Sequence, residues 1–230
     1  FSQYNDNKNE PILLKSKFIE NTNFIYGSNI DSKSFYYDIT NNFSNLIFEE
    51  IFMPQLKFID NGKGGGFQYK VSENFSLSLS EFVDNNNFNN SNRGLKQYNI
   101  IHKKNNLKIN FGLGILNESN TIFNSSSSGA FGKFLNTESK FLSISSNYRL
   151  SKNLSLHGSL SENMSTIPND GNGFISNWSK IKSNSFGFGL KKYNAVLKND
   201  SFGVSIFQPL RVYSAYADFS IPVDTEKKPL

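Results

Sequence analysis

From Ser139 to Glu162 apolar and polar residues alternate with a period of two. Leu142, Ile144, Tyr148 and Leu150 share one parity, and Ser143, Ser145, Asn147 and Arg149 the other. Beyond the break Ser151-Lys152-Asn153, Leu154, Leu156 and Leu160 oppose Ser155, His157, Ser159 and Ser161. A period of two is the pleat of a half-buried strand, and three polar residues leave room only for a tight antiparallel turn, so this stretch predicts a β-hairpin.

The same alternation recurs along the chain. Phe67, Tyr69 and Val71 share a face; after Ser72-Glu73-Asn74, so do Phe75, Leu77, Leu79 and Val83. Leu107, Ile109, Phe111, Leu113 and Ile115 oppose Lys108, Asn110, Gly112 and Gly114, and Phe186, Phe188 and Leu190 oppose Ser183, Ser185, Gly187 and Gly189. Further strands are predicted at 95–102, 202–207 and 213–223, giving about nine strands after Leu56. Upstream, 12–27 and 31–52 alternate imperfectly; they read as a strand or two, with 44–52 compatible with a helical turn. Residues 1–11 read as polar linker. The domain division expected is a linker and pre-barrel segment over 1–55 and a β-barrel domain over 56–230.

The links between strands run short at 72–74, long at 84–94, short at 103–106, long at 116–138, short at 151–153 and long at 163–180. That asymmetry belongs to an up-and-down barrel whose rims face different compartments; a Greek-key sandwich has no reason for it. Strands of about 9–11 residues also suit a tilted membrane crossing. The fold class predicted is therefore all-β, an antiparallel up-and-down transmembrane β-barrel, incomplete here. Leu142, Ile144, Leu154, Leu156, Phe186 and Phe188 are expected to face lipid, and Lys108, Arg149, His157 and Lys191 a polar lumen. Glu81 and Glu162 fall on apolar parities near strand ends, where a carboxylate can reach a headgroup rim.

Composition agrees with a wet interior. Only 37% of the 230 residues are hydrophobic, while Asn and Ser each supply about one residue in seven, too polar for a filled core but apt where half of each strand faces water. The net charge of +5 is scattered over turns and strand ends, which argues against a nucleic-acid groove. No run reaches the ~20 apolar residues of a spanning helix. Cysteine is absent, excluding disulfides, thiolate metal sites and thiol nucleophiles.

Particular stretches carry a resemblance. GILNESNTIFNSSSSGAFG (114–132), SNSFGFGL (183–190), DSFGVSIFQPLRVYSAYADFSIPV (200–223) and, more faintly, DSKSFYYDIT (31–40) resemble the carboxyl-terminal region of large subtilisin-like serine peptidases of Gram-negative bacteria, an autotransporter translocator barrel following the secreted peptidase. The resemblance implies an outer-membrane location, outer-membrane lipid as partner and a peptidase passenger upstream in the same chain. It also implies that 31–39 lies between passenger and barrel, although Lys33-Ser34-Phe35 departs from the expected Arg-Asp-Phe. Such barrels typically have twelve strands, and Lys227-Lys228-Pro229-Leu230 lacks the usual terminal aromatic strand, so truncation and an unpaired edge at 213–223 are expected.

Catalytic chemistry is not expected in this segment. The Gly-Thr-Ser-Met-Ala-like nucleophile motif of a subtilisin site is missing. His102 and His157, with no Cys or clustered carboxylate, make no coordination sphere, so no metal, cofactor or small-molecule substrate is expected. Gly62-Lys63-Gly64-Gly65-Gly66 lacks the context and Lys-Ser/Thr ending of a phosphate loop and reads as turn or strand entry. Two alternatives stay open: a soluble or surface-exposed β-sandwich acting as an adhesin module, and a small porin-like channel.

Overall fold

The structure, a computed structural model, describes residues 11–40, 53–59, 61–84, 92–168, 173–195, 197 and 200–220. Ten strands pair in chain order into one antiparallel sheet: β1 (Ile12–Ile19), β2 (Thr22–Asp31), β3 (Asn61–Lys70), β4 (Phe75–Asp84), β5 (Arg93–Lys104), β6 (Leu107–Glu118), β7 (Thr137–Ser151), β8 (Leu154–Thr166), β10 (Ile181–Tyr193) and β11 (Ser201–Ser214). Between β8 and β10 lies a two-residue strand, β9 (Ile175–Ser176), which pairs with β12 (Asp218–Phe219) in a separate ladder. The fold is thus all-β with an up-and-down sheet. β1 and β11 stand at opposite ends of the strand order, and among the described residues no pairing between them closes it.

Four turns at one end are tight, at 20–21, 71–74, 105–106 and 152–153, while the β10–β11 link at that end, 194–200, is longer. Asn105 makes its turn with φ +51°, a left-handed conformation that Asn tolerates. The connections at the other end are long, and the longest, between β2 and β3, holds a helix α1 (Ser32–Thr40) and a 3₁₀ turn (Pro54–Phe58).

Helix α1 begins where Asp31 Oδ2 accepts bonds from Ser34 N (2.9 Å) and Ser34 Oγ (3.1 Å), satisfying an otherwise orphaned helical N–H. Its buried residues Phe35, Tyr36 and Ile39 join Met53, Leu56 and Ile59 in a core cluster with strand residues Ile25, Phe82, Leu95, Leu116 and Phe141. Leu210 on β11 packs against the same cluster. Ile25 on β2 and Leu210 are eight strand spacings apart in the pairing order, about 38 Å on a flat sheet, so the sheet must curl around this core.

The glycines of β3 show how the helix fits. Gly62, Gly64 and Gly66 are buried on the concave face. A Cβ at Gly64 would lie 2.5 Å from Phe82 and 2.8 Å from Phe35, and one at Gly66 2.6 Å from Ile39. This stretch is therefore neither a turn nor a ligand loop, but a strand stripped of side chains where α1 approaches.

Several sequence expectations are corrected. Residues 32–40 are helical, because nine residues of mixed propensity follow their packing rather than their composition; the expectation for 44–52 lies outside the described residues. The strands expected upstream of Leu56 are β1 and β2, which pair into the sheet through β3. After Leu56 the large sheet has eight strands. The expected strand 213–223 is only the end of β11 followed by β12, and the edge strand is β11 itself.

Candidate functional site

The two faces of the sheet are chemically inverted relative to a water-soluble protein. One outward register row reads Tyr69, Leu77, Ile100, Phe111, Ile144, Leu160, Phe186. The inward row beside it reads Ser78, Asn99, Gly112, Ser143, Ser161, Ser185. The apolar row is exposed and the polar row buried. Leu142 is 63% exposed and Phe188 55%, while Ser143 is 4% and Ser185 5%. Large exposed apolar patches are rare on soluble monomers and mark contact with another phase or partner.

The outward band does not follow the strand register. On β4 it centres on Leu77, flanked by Phe75 and Leu79; on β11 it centres on Val204, flanked by Phe202 and Ile206. The row of Leu77 arrives on β11 at Gln208, four residues from Val204. The band therefore slips by about 13 Å while crossing about 29 Å of sheet, a slope of about 25°. A flat apolar layer cutting tilted strands produces such a slope.

Toward the long-connection end the inward face carries the apolar row Phe82, Leu95, Leu116, which meets α1 and the 54–58 turn. Deeper in, contacts become polar. Tyr36 Oη donates to Asn99 Oδ1 (2.9 Å) and accepts from Asn110 Nδ2 (3.1 Å). Complete burial raises the phenol's pKa, the bond from Asn110 opposing the shift, so the group is neutral and can keep donating. Gln55 Nε2 donates to Gln97 Oε1 (3.1 Å), and Ser32 Oγ to Ile59 O (2.8 Å).

A buried charge network closes the long-connection rim. Arg93 pairs with Asp84 at 2.8 Å and donates to Phe58 O (2.9 Å) and Asn124 Oδ1 (2.7 Å). Glu118 accepts from Thr121 Oγ1, Phe123 N and Asn124 N. These bonds tie the connections to the strand ends. Sequence reasoning passed over Asp84, Arg93 and Glu118 because it placed them in the long links 84–94 and 116–138, whereas they are the end residues of β4, β5 and β6.

Of the residues expected to face lipid, Leu142, Ile144, Phe186 and Phe188 lie on the exposed outer face, and Leu154 and Leu156 are half-buried on it. Of those expected to face inward, His157 (5% exposed) and Lys191 (7%) are buried on the concave side, with His157 Nε2 2.8 Å from Ser155 Oγ. Lys108 is half-buried. Arg149 pairs with buried Ser155 in register but is itself exposed near the tight turn. His102 lies on the outward row, its ring tilted against that of Phe75 with centroids 4.5 Å apart. Glu81 is outward and pairs with Lys96 at 3.7 Å. Lys108 and His157 share one inward register row, flanking Asn147, and Arg149 and Lys191 share the next, flanking Ser155.

No family model matches this chain, and no curated protein or solved structure is similar to it. Among the described residues no group of three or more His, Cys, Asp or Glu could hold a metal ion, and no helix is long and apolar enough to cross a membrane. What the arrangement can do is therefore a property of its two faces. The outer one offers an apolar belt, and the inner one a hydroxyl- and amide-lined wall around α1.

Proposed function

We propose that this chain is the membrane-embedded β-barrel domain of a Gram-negative outer-membrane protein, a non-catalytic anchor and translocator for a passenger in the same protein. By the resemblance above, that passenger is a subtilisin-like peptidase. The observation that carries the reading is the inversion of faces: Phe111, Leu142 and Phe188 are exposed, while serines and amides are buried behind them. In lipid every backbone N–H and C=O must be paired within the sheet, and an antiparallel meander provides this everywhere except at its two edges. A polar inner wall gives an extended segment a wet path. The autotransporter part rests on the resemblance alone.

The porin-like channel is favoured by one observation of its own. The β2–β3 connection leaves the sheet and returns to it at the same end, Asp31 pairing with Asn61, and between those points α1 lies against the concave face. That is the path of a constriction loop.

Folding into lipid vesicles tests the shared premise. Ile144→Arg places a charge in the middle of the outer band and is expected to cost about 2–4 kcal/mol, whereas Ser145→Arg, on the inner face, costs far less. Equal tolerance of the two substitutions, or a monodisperse monomer of the full-length protein in plain buffer, refutes the membrane reading.

A further inference from the structure

The inner wall ends in cations at the tight-turn rim. Followed to the turn, the inward parity arrives at Lys17 on β1, Lys70 on β3, Lys103 on β5, Lys108 on β6 and Arg149 on β7. On β10 it passes through buried Lys191, whose Nζ lies 4.8 Å from the ring centre of Tyr193. The strands between offer Asn23, Ser76, Ser155 and Gly203 there. Among the described residues no inward strand position at this rim holds a carboxylate. At the other rim the inward strand charges are Asp84, Arg93 and Glu118, one arginine against two carboxylates. Carboxylates near the cationic rim stand in turns or are already engaged: Glu20 and Glu73 lie in the turns at 20–21 and 71–74, Asp200 accepts from Ala195 N and Leu197 N, and Asp38 of α1 pairs with Lys15. With Lys152 in a turn at the same end, the described groups leave this rim net positive.

A hollow of about 280 Å³ opens at this rim between Lys70, Lys103 and Lys108, with Gln68 and Ser76 on its wall and Glu73 also lining it. Two ordinary roles for rim lysines do not account for the whole set. Lysines that serve lipid headgroups point outward, as Lys104 and Lys192 do. α1 ends at Thr40 beside the hollow, and its C-terminal carbonyls favour nearby cations; but α1 packs on β2, β3 and β4, whereas Arg149 and Lys191 stand on β7 and β10. Inward rings of Lys and Arg select anions in pores, and a cleft lined by one sign of charge concentrates its counter-ions. We infer that the tight-turn mouth of the inner wall is a binding site for small anions of the inorganic phosphate class, and that it makes the wet path anion-selective. The Gln68 amide and the Ser76 hydroxyl supply neutral donors for an oxyanion beside the lysines. The inference rests on the membrane reading.

The full-length protein is folded into phosphatidylcholine vesicles, where circular dichroism reports β-structure, and the vesicles are fused to planar bilayers across a gradient of potassium chloride. The reversal potential of the wild type is expected to show chloride about fivefold more permeant than potassium at low salt. Lys70→Gln/Lys103→Gln/Lys108→Gln and Arg149→Gln/Lys191→Gln each lower that ratio about twofold or more. Inorganic phosphate added on the tight-turn side reduces the chloride current of the wild type but not that of the triple variant. The pair Lys104→Gln/Lys192→Gln, which removes two outward cations at the same end, leaves the ratio unchanged. Cation selectivity, a ratio that the inward substitutions do not move, or inserted β-structured protein that passes no ions overturns the inference. Failure of the wild type to acquire β-structure in the vesicles overturns the membrane reading instead, so the two failures are distinguishable.

Discussion

The two walls of the concave face solve different problems. On β3 the inward positions are Gly62, Gly64 and Gly66, and the space they leave is filled by Phe35 and Ile39 of α1. On β8 and β10 serine is the commonest inward residue, beside Asn163, His157 and Lys191, and among the described residues Ser161 Oγ, Ser185 Oγ and Asn163 Oδ1 are buried without a hydrogen-bond partner. Glycine gives an apolar element close approach at the expense of backbone entropy. Serine instead keeps hydroxyls along the second wall. Unpaired buried hydroxyls are costly in a dry core, so on the membrane reading proposed above the second wall is the one that meets water. One side of the interior is packed with apolar side chains, and the other is lined with hydroxyls.

Substitutions should separate the walls. Phe35→Ala empties the packed side and is expected to cost about 3–5 kcal/mol in denaturant unfolding from detergent micelles; a cost below about 1 kcal/mol would mean that α1 is not held against β3. Tyr36→Phe leaves Asn99 and Asn110 without the shared hydroxyl and should cost about 1–2 kcal/mol, read in the same assay. Ser161→Ala removes a hydroxyl that bonds nothing in the protein and should fall within about 0.5 kcal/mol of wild type. If Ser161→Ala were as damaging as Tyr36→Phe, the wet wall would instead be a tightly bonded one.

Much of this was legible in the sequence, for a simple reason. Strand parity depends only on the spacing of two, so the alternation around Leu142–Ser145 and Phe186–Gly189 already places the faces, and the lengths of the links give a meander. Helix α1 was not legible. Ser-Phe-Tyr-Tyr-Asp-Ile-Thr is rich in β-branched and aromatic residues, and only its docking on the glycine wall makes it helical. The cap at Asp31 was the available signal. The strand expected at 213–223 failed because alternation continues past Ser214, where the chain leaves β10 to pair with β9. The inward network of Tyr36, Asn99 and Asn110 joins residues 63 and 74 positions apart, which no local pattern reveals.

The central claim is that Leu142 and Ile144 face lipid while Ser143 and Ser145 do not. Because the chain has no cysteine, single spin labels can be placed through Leu142→Cys, Ser143→Cys, Ile144→Cys and Ser145→Cys in protein folded into vesicles. Collision rates with oxygen, which partitions into the bilayer, and with a water-soluble nickel chelate then report each position's surroundings. The account predicts high oxygen and low chelate accessibility at 142 and 144, with oxygen accessibility falling at 143 and 145. Free access of the chelate to 142 and 144, or the absence of any alternation along the four positions, would contradict it.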